Sequence, residues 1–362
     1  MIIMTSKKIS VLVTGVGGLD LGESIVMALG LAEGNKYKII GANMNPFSAS
    51  LFRVDKGFLV PSATSKHYIQ KLLDICLSEK VEVLIPGSEM ELEKIAENRE
   101  VFESHNIIPL IGETDIIKTC LDKWELYRFL SKKGILCPKT VLPENKDVAI
   151  EDLGFPLLIK ARRSCGSKNI FLAQDLDDLN FFISYLKKYG IEPIIQEYVG
   201  AKEQEFTISV LVSKKGDIIG SFAMHRELTG ISLKSSIKKN SIEYALSTGI
   251  SQGLIDDFPE IRTTAEDVVQ KMGGRGPMNV QGRLTSKGFS IFEINPRFSG
   301  TTSIRAYAGF NEPDLLIRNF LFDEQIKTTN YTKKLVAMRG INNIFVDLKT
   351  FNSFKQLKMT KE

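Results

Sequence analysis

The sequence predicts an open parallel α/β unit followed by a larger α+β region built on antiparallel strands, and three observations predict it. Strand-like and helical patterns alternate through roughly the first 115 residues, as successive βαβ units require. Beyond Phe155 several strands follow, two of which, Glu205–Val212 and Ile218–Met224, flank the turn Lys214-Lys215-Gly216-Asp217. Near the end, Met278–Gln281 and Ile291–Arg297 alternate apolar with polar residues on either side of Thr285-Ser286-Lys287-Gly288, a hairpin with one polar face.

In the first unit, Ile9–Thr14 is a buried-strand pattern that runs through Gly15-Val16-Gly17-Gly18 into a helical run, about Glu23 to Leu31. A second strand, Tyr37–Ala42, completes a βαβ unit. The alternation continues with Phe58–Val60 as strand, His67–Ser78 as helix, Val81–Ile85 as strand and Glu89–Phe102 as a charged amphipathic helix. The glycine turn does not match a dinucleotide fingerprint. Asp20 occupies the place of the third glycine, and Asn43 stands where an acid would meet the ribose.

The second unit starts near Asp115. Asp122–Leu130 has helical spacing and Gly134 terminates it. The apolar strand Phe155–Lys160 ends in a lysine and runs into Ala161–Ile170, where small residues let backbone N–H groups approach an anion and cations flank the turn. A helix over Leu176–Tyr189 and the strand Pro193–Val199 follow. Helices around Ser241–Gln252 and Arg262–Met272 are expected before the hairpin, and Gly340–Val346 as a strand with a peripheral helix after it. The expected division is 1–115, then 116–325 with a lid lobe at about 138–195, then a C-terminal extension over 326–362.

Composition narrows the function. At 362 residues, 43% hydrophobic and 25% charged, the chain is an ordinary globular sequence, and a net charge of +4 without a basic block does not imply nucleic acid. No apolar run approaches the roughly 20 residues needed to span a bilayer, and the N-terminus has no secretion-signal core. Cys76, Cys120, Cys137 and Cys165 are scattered, which argues for reduced thiols and a cytoplasmic protein. With only His67, His105 and His225, a multi-histidine zinc centre is not expected, and no G-x-S-x-G element supports a serine hydrolase.

A hairpin symmetric about Lys287 sets Gln281 opposite Glu293 and Asn279 opposite Asn295. Opposed side chains sit roughly 5 Å apart, so a carboxylate and several amides converge. That composition suits a hard cation, and magnesium usually brings nucleotide phosphates with it. The alternative is a solvated face, with Asn295-Pro296 merely a turn.

The order of motifs decides between them. A lysine on a helix, a lysine at a strand end before a small-residue turn, Gln196-Glu197-Tyr198-Val199, Glu205-Phe206-Thr207, an arginine, Asn279-Val280-Gln281 and Glu293-Ile294-Asn295-Pro296-Arg297 resemble the ATP-grasp superfamily. The chain is similar to stand-alone ligases of the kind related to the carbamoyl-phosphate synthase large subunit. The resemblance covers about residues 9–325 and implies a pre-ATP-grasp α/β domain ahead of a two-lobed ATP-grasp fold.

By that resemblance, Lys123 and Lys160 hold the α- and β-phosphates, and Gly166, Ser167 and Lys168 belong to a flap over them. Glu197 to Val199 form the hinge whose backbone meets adenine, Gln196 also belongs to the nucleotide site, and Glu205, with Glu203 the alternative, takes the ribose hydroxyls. Gln281, Glu293 and Asn295 bind Mg²⁺ (or Mn²⁺) between the β- and γ-phosphates of ATP. Arg297 and Arg226 present cations to the transferred phosphoryl group. His225 reads as a structural histidine rather than a base, and Arg305 is a candidate carboxylate ligand.

The implied reaction activates a small-molecule carboxylate as an acyl phosphate and couples it to an amine, releasing ADP and phosphate. Two alternatives stand beside it: phosphorylation of bicarbonate or carbamate, and a non-catalytic nucleotide-binding protein. Membrane and nucleic acid are not expected partners; the oligomeric state is left open, a homodimer among the options.

Overall fold

The computed structural model describes residues 8–18, 21–164, 166, 168–239, 241–328, 330–340 and 345–356. Its N-terminal sheet joins β1 (Ile9–Val13), β2 (Tyr37–Asn43), β3 (Lys56–Leu59), β4 (Val83–Ile85) and β5 (Ile108–Pro109) in the order β3-β2-β1-β4-β5, parallel throughout. This is the expected open α/β unit. The order reverses between β1 and β4, where an open sheet offers a crevice at its carboxyl edge. Glycines make that corner dense. A Cβ on Gly87 would lie 1.9 Å from Thr14 O, and one on Gly15 (φ +59) would lie 2.5 Å from the Glu91 carboxylate. A carboxylate packed against the glycine turn is consistent with the missing dinucleotide fingerprint.

The expected helix over Glu89–Phe102 is two helices, Glu89–Glu97 and Arg99–Glu103. Asn98 separates them because its side chain donates to Lys94 O at 2.9 Å, competing with the backbone for helical bonding.

A four-stranded antiparallel sheet follows, ordered β6 (Thr140–Val141), β9 (Pro193–Glu197), β7 (Leu157–Ala161), β8 (Ile170–Ala173). Its outer face buries Leu157, Ile159 and Ile195 against helices 146–153 and 176–188 through Ala149, Leu179 and Ile183. The largest sheet is antiparallel and contains β10 (Glu205–Val212), β11 (Ile218–Arg226), β14 (Gly253–Ile255), β15 (Gly276–Thr285), β16 (Gly288–Asn295) and β17 (Leu335–Ala337), ordered β16-β15-β10-β11-β14-β17. One face buries Ile208, Val210, Met278 and Val280 against the helix Pro259–Met272. Alternation along each strand turns the polar residues to the other face.

Ser241–Gln252 is not a helix. Strands β12 (Leu233–Lys239) and β13 (Ile242–Ser247) pair as a separate hairpin, with Ser241 turning at φ +65. Leu246, Ile237 and Tyr244 pack against Leu158 and Leu172 of the four-stranded sheet, and this long-range apolar contact overrides local helix propensity. Of the strand expected at Gly340–Val346, residues 341–344 lie outside the described residues and 345–346 are not in a strand; β17 forms a few residues earlier. The peripheral helix is Leu348–Gln356, whose Phe354 packs on Phe52 beside the N-terminal sheet.

Candidate active site

Three polar rungs cross the free face of the largest sheet. Glu205 faces Arg283; Thr207 faces Gln281, which faces Glu293; Ser209 faces Asn279, which faces Asn295. The expected pairing of Gln281 with Glu293 is therefore observed, but not through a symmetric turn. The turn pairs Thr285 with Gly288, and a bulge on β16 between the partners of Gln281 and Gly282 inserts Phe292 and restores that register. Because a bulge breaks alternation, Phe292 and Glu293 both line the same cleft.

The opposite wall comes from the four-stranded sheet. Leu158 and Lys160, two apart on β7, point inward together with Gln196 of β9. The cleft opens to solvent, and the empty space in and in front of it amounts to about 660 Å³. Its charged or amide lining includes Lys123, Lys160, Glu205, Gln281, Arg283 and Glu293, and its apolar lining includes Leu158, Ile170, Val199, Leu246 and Phe292. An apolar slot continuous with cationic groups suits a flat ring carrying phosphates.

Local structure holds each cation. Asp122 caps the helix Lys123–Lys132 by accepting from Trp124 N and Glu125 N, and also accepts from Arg162 at the end of β7. Lys123 is thus fixed at the first helical position, and its Nζ donates to Ser164 O at 2.9 Å. Lys160 Nζ donates to Gln196 Oε1 at 2.6 Å and lies 5.3 Å from the Phe292 ring centroid. Burial pushes the Lys160 ammonium down to about 8, opposed by the nearby Glu293 and reinforced by Lys123 and Arg283.

The sequence-predicted residues are distributed as follows. Lys123, Lys160, Gln196, Glu197, Val199, Glu205, Gln281 and Glu293 line one cleft. Asn295 is buried one rung below, with its Nδ2 unpartnered. Gly166 and Lys168 are exposed on the β7–β8 connection, and a Cβ on Gly249 would lie 3.4 Å from Gly166 Cα. Ser167 lies outside the described residues. Glu203 is exposed and outside the lining, so of the two candidate glutamates only Glu205 borders the cleft.

The arginines are arranged differently from expectation. Arg226 is 2% exposed and lies beneath the lining, where it donates to Glu205 at 2.6 Å and to the carbonyls of Thr248 and Ile250. That geometry supports bracing rather than contact with a phosphoryl group. Both Glu205 oxygens are engaged, by Arg226 and by Arg283. Burial alone would raise its pKa, but the two guanidiniums hold the carboxyl below its usual range. Arg297 sits outside the cleft lining and donates to Glu89 of the N-terminal unit at 2.5 Å. Arg305 is buried between Glu312 and Asn279, which leaves no free fork for a substrate carboxylate. His225 packs on Phe206 at 4.7 Å, in keeping with a structural role.

Arg283 was not among the residues expected from sequence, although it continues the alternation Asn279, Gln281, Arg283 on one face. Tyr198 lies within the expected hinge and lines the cleft. Phe292 and the β13 residues Ala245, Leu246 and Ser247 carry no local signal, since a bulge and a distant hairpin place them.

The oxygen donors fit a nucleotide-borne cation. No group of three His, Cys, Asp or Glu able to hold a metal occurs among the described residues. One carboxylate with amide oxygens is a partial shell of the kind magnesium completes with waters and phosphates.

Two facing antiparallel sheets with buried lysines between them define a nucleotide-grasping protein. The ATP-grasp domain family matches residues 120–301, half of the chain, and the chain belongs to that family. Residues 11–111 match the PylC-like N-terminal domain. Among curated relatives, the multifunctional protein pyrABCN of Emericella nidulans is 24% identical over 84% of this chain and 14% of its own length. The carbamoyl phosphate synthase large chain of Pyrococcus furiosus is 22% identical over 81% of this chain and 28% of its own. The chain thus spans less than a third of these relatives. In fold it is similar to N5-carboxyaminoimidazole synthetase from Staphylococcus aureus complexed with ADP (TM-score 0.61, 15% identity, 98% of each chain). It is also similar to the biotin carboxylase domain of Hydrogenobacter thermophilus 2-oxoglutarate carboxylase (0.63, 15%, 90% of this chain and 72% of that one).

Proposed function

We propose that this protein is a Mg-ATP-dependent, ADP-forming ligase that activates a small carboxylate as an acyl phosphate and couples it to an amine. The observation that carries the proposal is the single cleft that unites Lys123 and Lys160 on one wall with Gln281 and Glu293 on the other. Lys160 holds a buried ammonium without a carboxylate partner, which an anionic phosphate would stabilise. Lys123 exchanges its bond to Ser164 for phosphate oxygens. Glu293 and Gln281, with Asn295 behind them, hold the magnesium that screens the transferred group. Leu158, Ile170, Val199 and Phe292 receive the base. The connection carrying Gly166 and Lys168 covers the phosphates and excludes water. Arg297, at the boundary with the N-terminal unit, meets the developing acyl phosphate by exchanging its contact with Glu89. The acceptor enters from that boundary.

Similarity to carbamoyl phosphate synthase large chains supports a second reading, phosphorylation of bicarbonate or carbamate. The two are separated by ADP release with Mg-ATP, screened against amino acids and against bicarbonate. Turnover that needs two organic substrates supports the ligase, and bicarbonate-stimulated turnover supports the alternative. ATP binding without turnover under either regime would leave a non-catalytic nucleotide binder. No helix among the described residues is long and apolar enough to cross a membrane. A cytoplasmic location and a homodimer complete the proposal; the similar Hydrogenobacter thermophilus domain was solved as a dimer.

A further inference from the structure

Resting on the nucleotide reading above, we propose that Arg283 is a positioning residue that sets the width of the base-binding slot by clamping the hinge and the β12–β13 hairpin to the largest sheet. It extends from β15, and its guanidinium divides its donors among separate elements. Nε donates to Glu205 of β10 at 3.0 Å, Nη1 to Val199 O in the hinge at 3.3 Å, and Nη2 to Ala245 O of β13 at 2.9 Å. Its plane lies 4.7 Å from the Tyr198 ring centroid, and the Tyr198 hydroxyl in turn accepts from Ala245 N at 2.8 Å. Gly200 (φ +65) packs on the Arg283 stem, where a Cβ would lie 3.1 Å from Arg283 Cβ.

Of these, β10 is the strand beside β15 in the same sheet, whereas the hinge and the hairpin belong to the opposite lobe. The hairpin β12–β13 is bound to the four-stranded sheet by the Leu158, Leu172 and Leu246 cluster, and by Lys239 donating to Gln174 O at 3.1 Å. Arg283 thus ties the largest sheet to both the hinge and the hairpin, whereas Arg226 of β11 reaches only the end of the hairpin, donating to Ser247 Oγ at 3.3 Å. Only a planar fork with several fixed donors spans these acceptors at once; a single ammonium cannot. The side chain is 7% exposed, so its bonds are shielded from water. Arg226 balances Glu205 independently, so loss of Arg283 leaves no uncompensated carboxylate.

The test is calorimetric titration of the full chain with Mg-ATP and with magnesium inorganic triphosphate, comparing wild type, Arg283→Met and Arg283→Lys. The expected result is a Kd for Mg-ATP at least ten times weaker for both variants with the Kd for magnesium inorganic triphosphate unchanged, because lysine preserves the charge beside Glu205 but not the clamp on the base slot. An equal loss for both ligands would mean general loosening of the cleft and overturn the proposal. Should Arg283→Met fail to fold, Arg283→Lys decides. Near-wild-type affinity in Arg283→Lys would reduce Arg283 to a counter-ion of Glu205 and overturn the proposal, as would near-wild-type affinity in Arg283→Met. No binding by the wild-type chain would instead overturn the nucleotide reading, and this proposal with it.

Discussion

Lys160 donates to Gln196 Oε1 at 2.6 Å across the interior of the cleft, so a buried ammonium rests on a neutral amide rather than on a carboxylate. Burial lowers its pKa from 10.5 to about 8. Between those values the unfolded chain binds more protons than the folded one, so ligand-free stability should rise as pH increases from about 8 to 10.5. Lys160→Met should raise ligand-free stability at pH 7 by on the order of 2 kcal/mol and abolish the further gain from Mg-ATP. Thermal unfolding with and without nucleotide checks both; an unchanged nucleotide response would remove Lys160 from the phosphate site.

Glu293 supplies the carboxylate of the rung it forms with Gln281. Glu293→Ala should lower ADP production by roughly a hundredfold or more, the scale of several kcal/mol of charge stabilisation. Its circular dichroism and unfolding midpoint should stay near those of the wild type. Near-normal ADP release would refute the metal assignment.

Glu205 pairs with two buried arginines, Arg226 and Arg283, through its two oxygens. Glu205→Gln should destabilise the fold by about 3–5 kcal/mol, as expected when a buried ion pair loses one partner. Since the folded-state pKa of Glu205 lies below its ordinary 4.5, its contribution is present above that pH and is lost as pH falls further. Denaturant titrations should therefore show a steeper acid loss for wild type than for the variant. Parallel curves would mean that Glu205 is not the linked group.

Arg297 contacts Glu89 in the N-terminal unit rather than a cleft-lining residue. If it meets the acyl phosphate, Arg297→Met should reduce kcat by about 10²–10³ while leaving the Kd for Mg-ATP within about threefold. A matched loss in nucleotide affinity would point to a role at ATP instead.

Much of the site was legible because strand alternation is a local rule. Gln281, Glu293 and Asn295 could be placed on one face, and Lys160 at a strand end, from the residues alone. The hairpin at 233–247 was not legible: the run from Ser241 reads as a helix, and contacts that reward the extended form come from distant residues, among them Leu158, Leu172, Tyr198 and Arg283. The same limit hid the partners of Arg226 and Arg297, whose carboxylates, Glu205 and Glu89, are separated from them by 21 and 208 residues.

By itself, the sequence determined the parallel N-terminal unit, the hairpins around Lys214–Asp217 and Thr285–Gly288, and the polar face carrying Gln281 and Glu293. Each depends on side-chain periodicity and turn chemistry within a few residues. Only the tertiary structure decided which cations stay open to the cleft. Lys123 and Lys160 line it, whereas Arg226, Arg297 and Arg305 are engaged by Glu205, Glu89 and Glu312. The physical reason is that charge pairing in a folded interior depends on distance and burial, neither of which is encoded in sequence spacing.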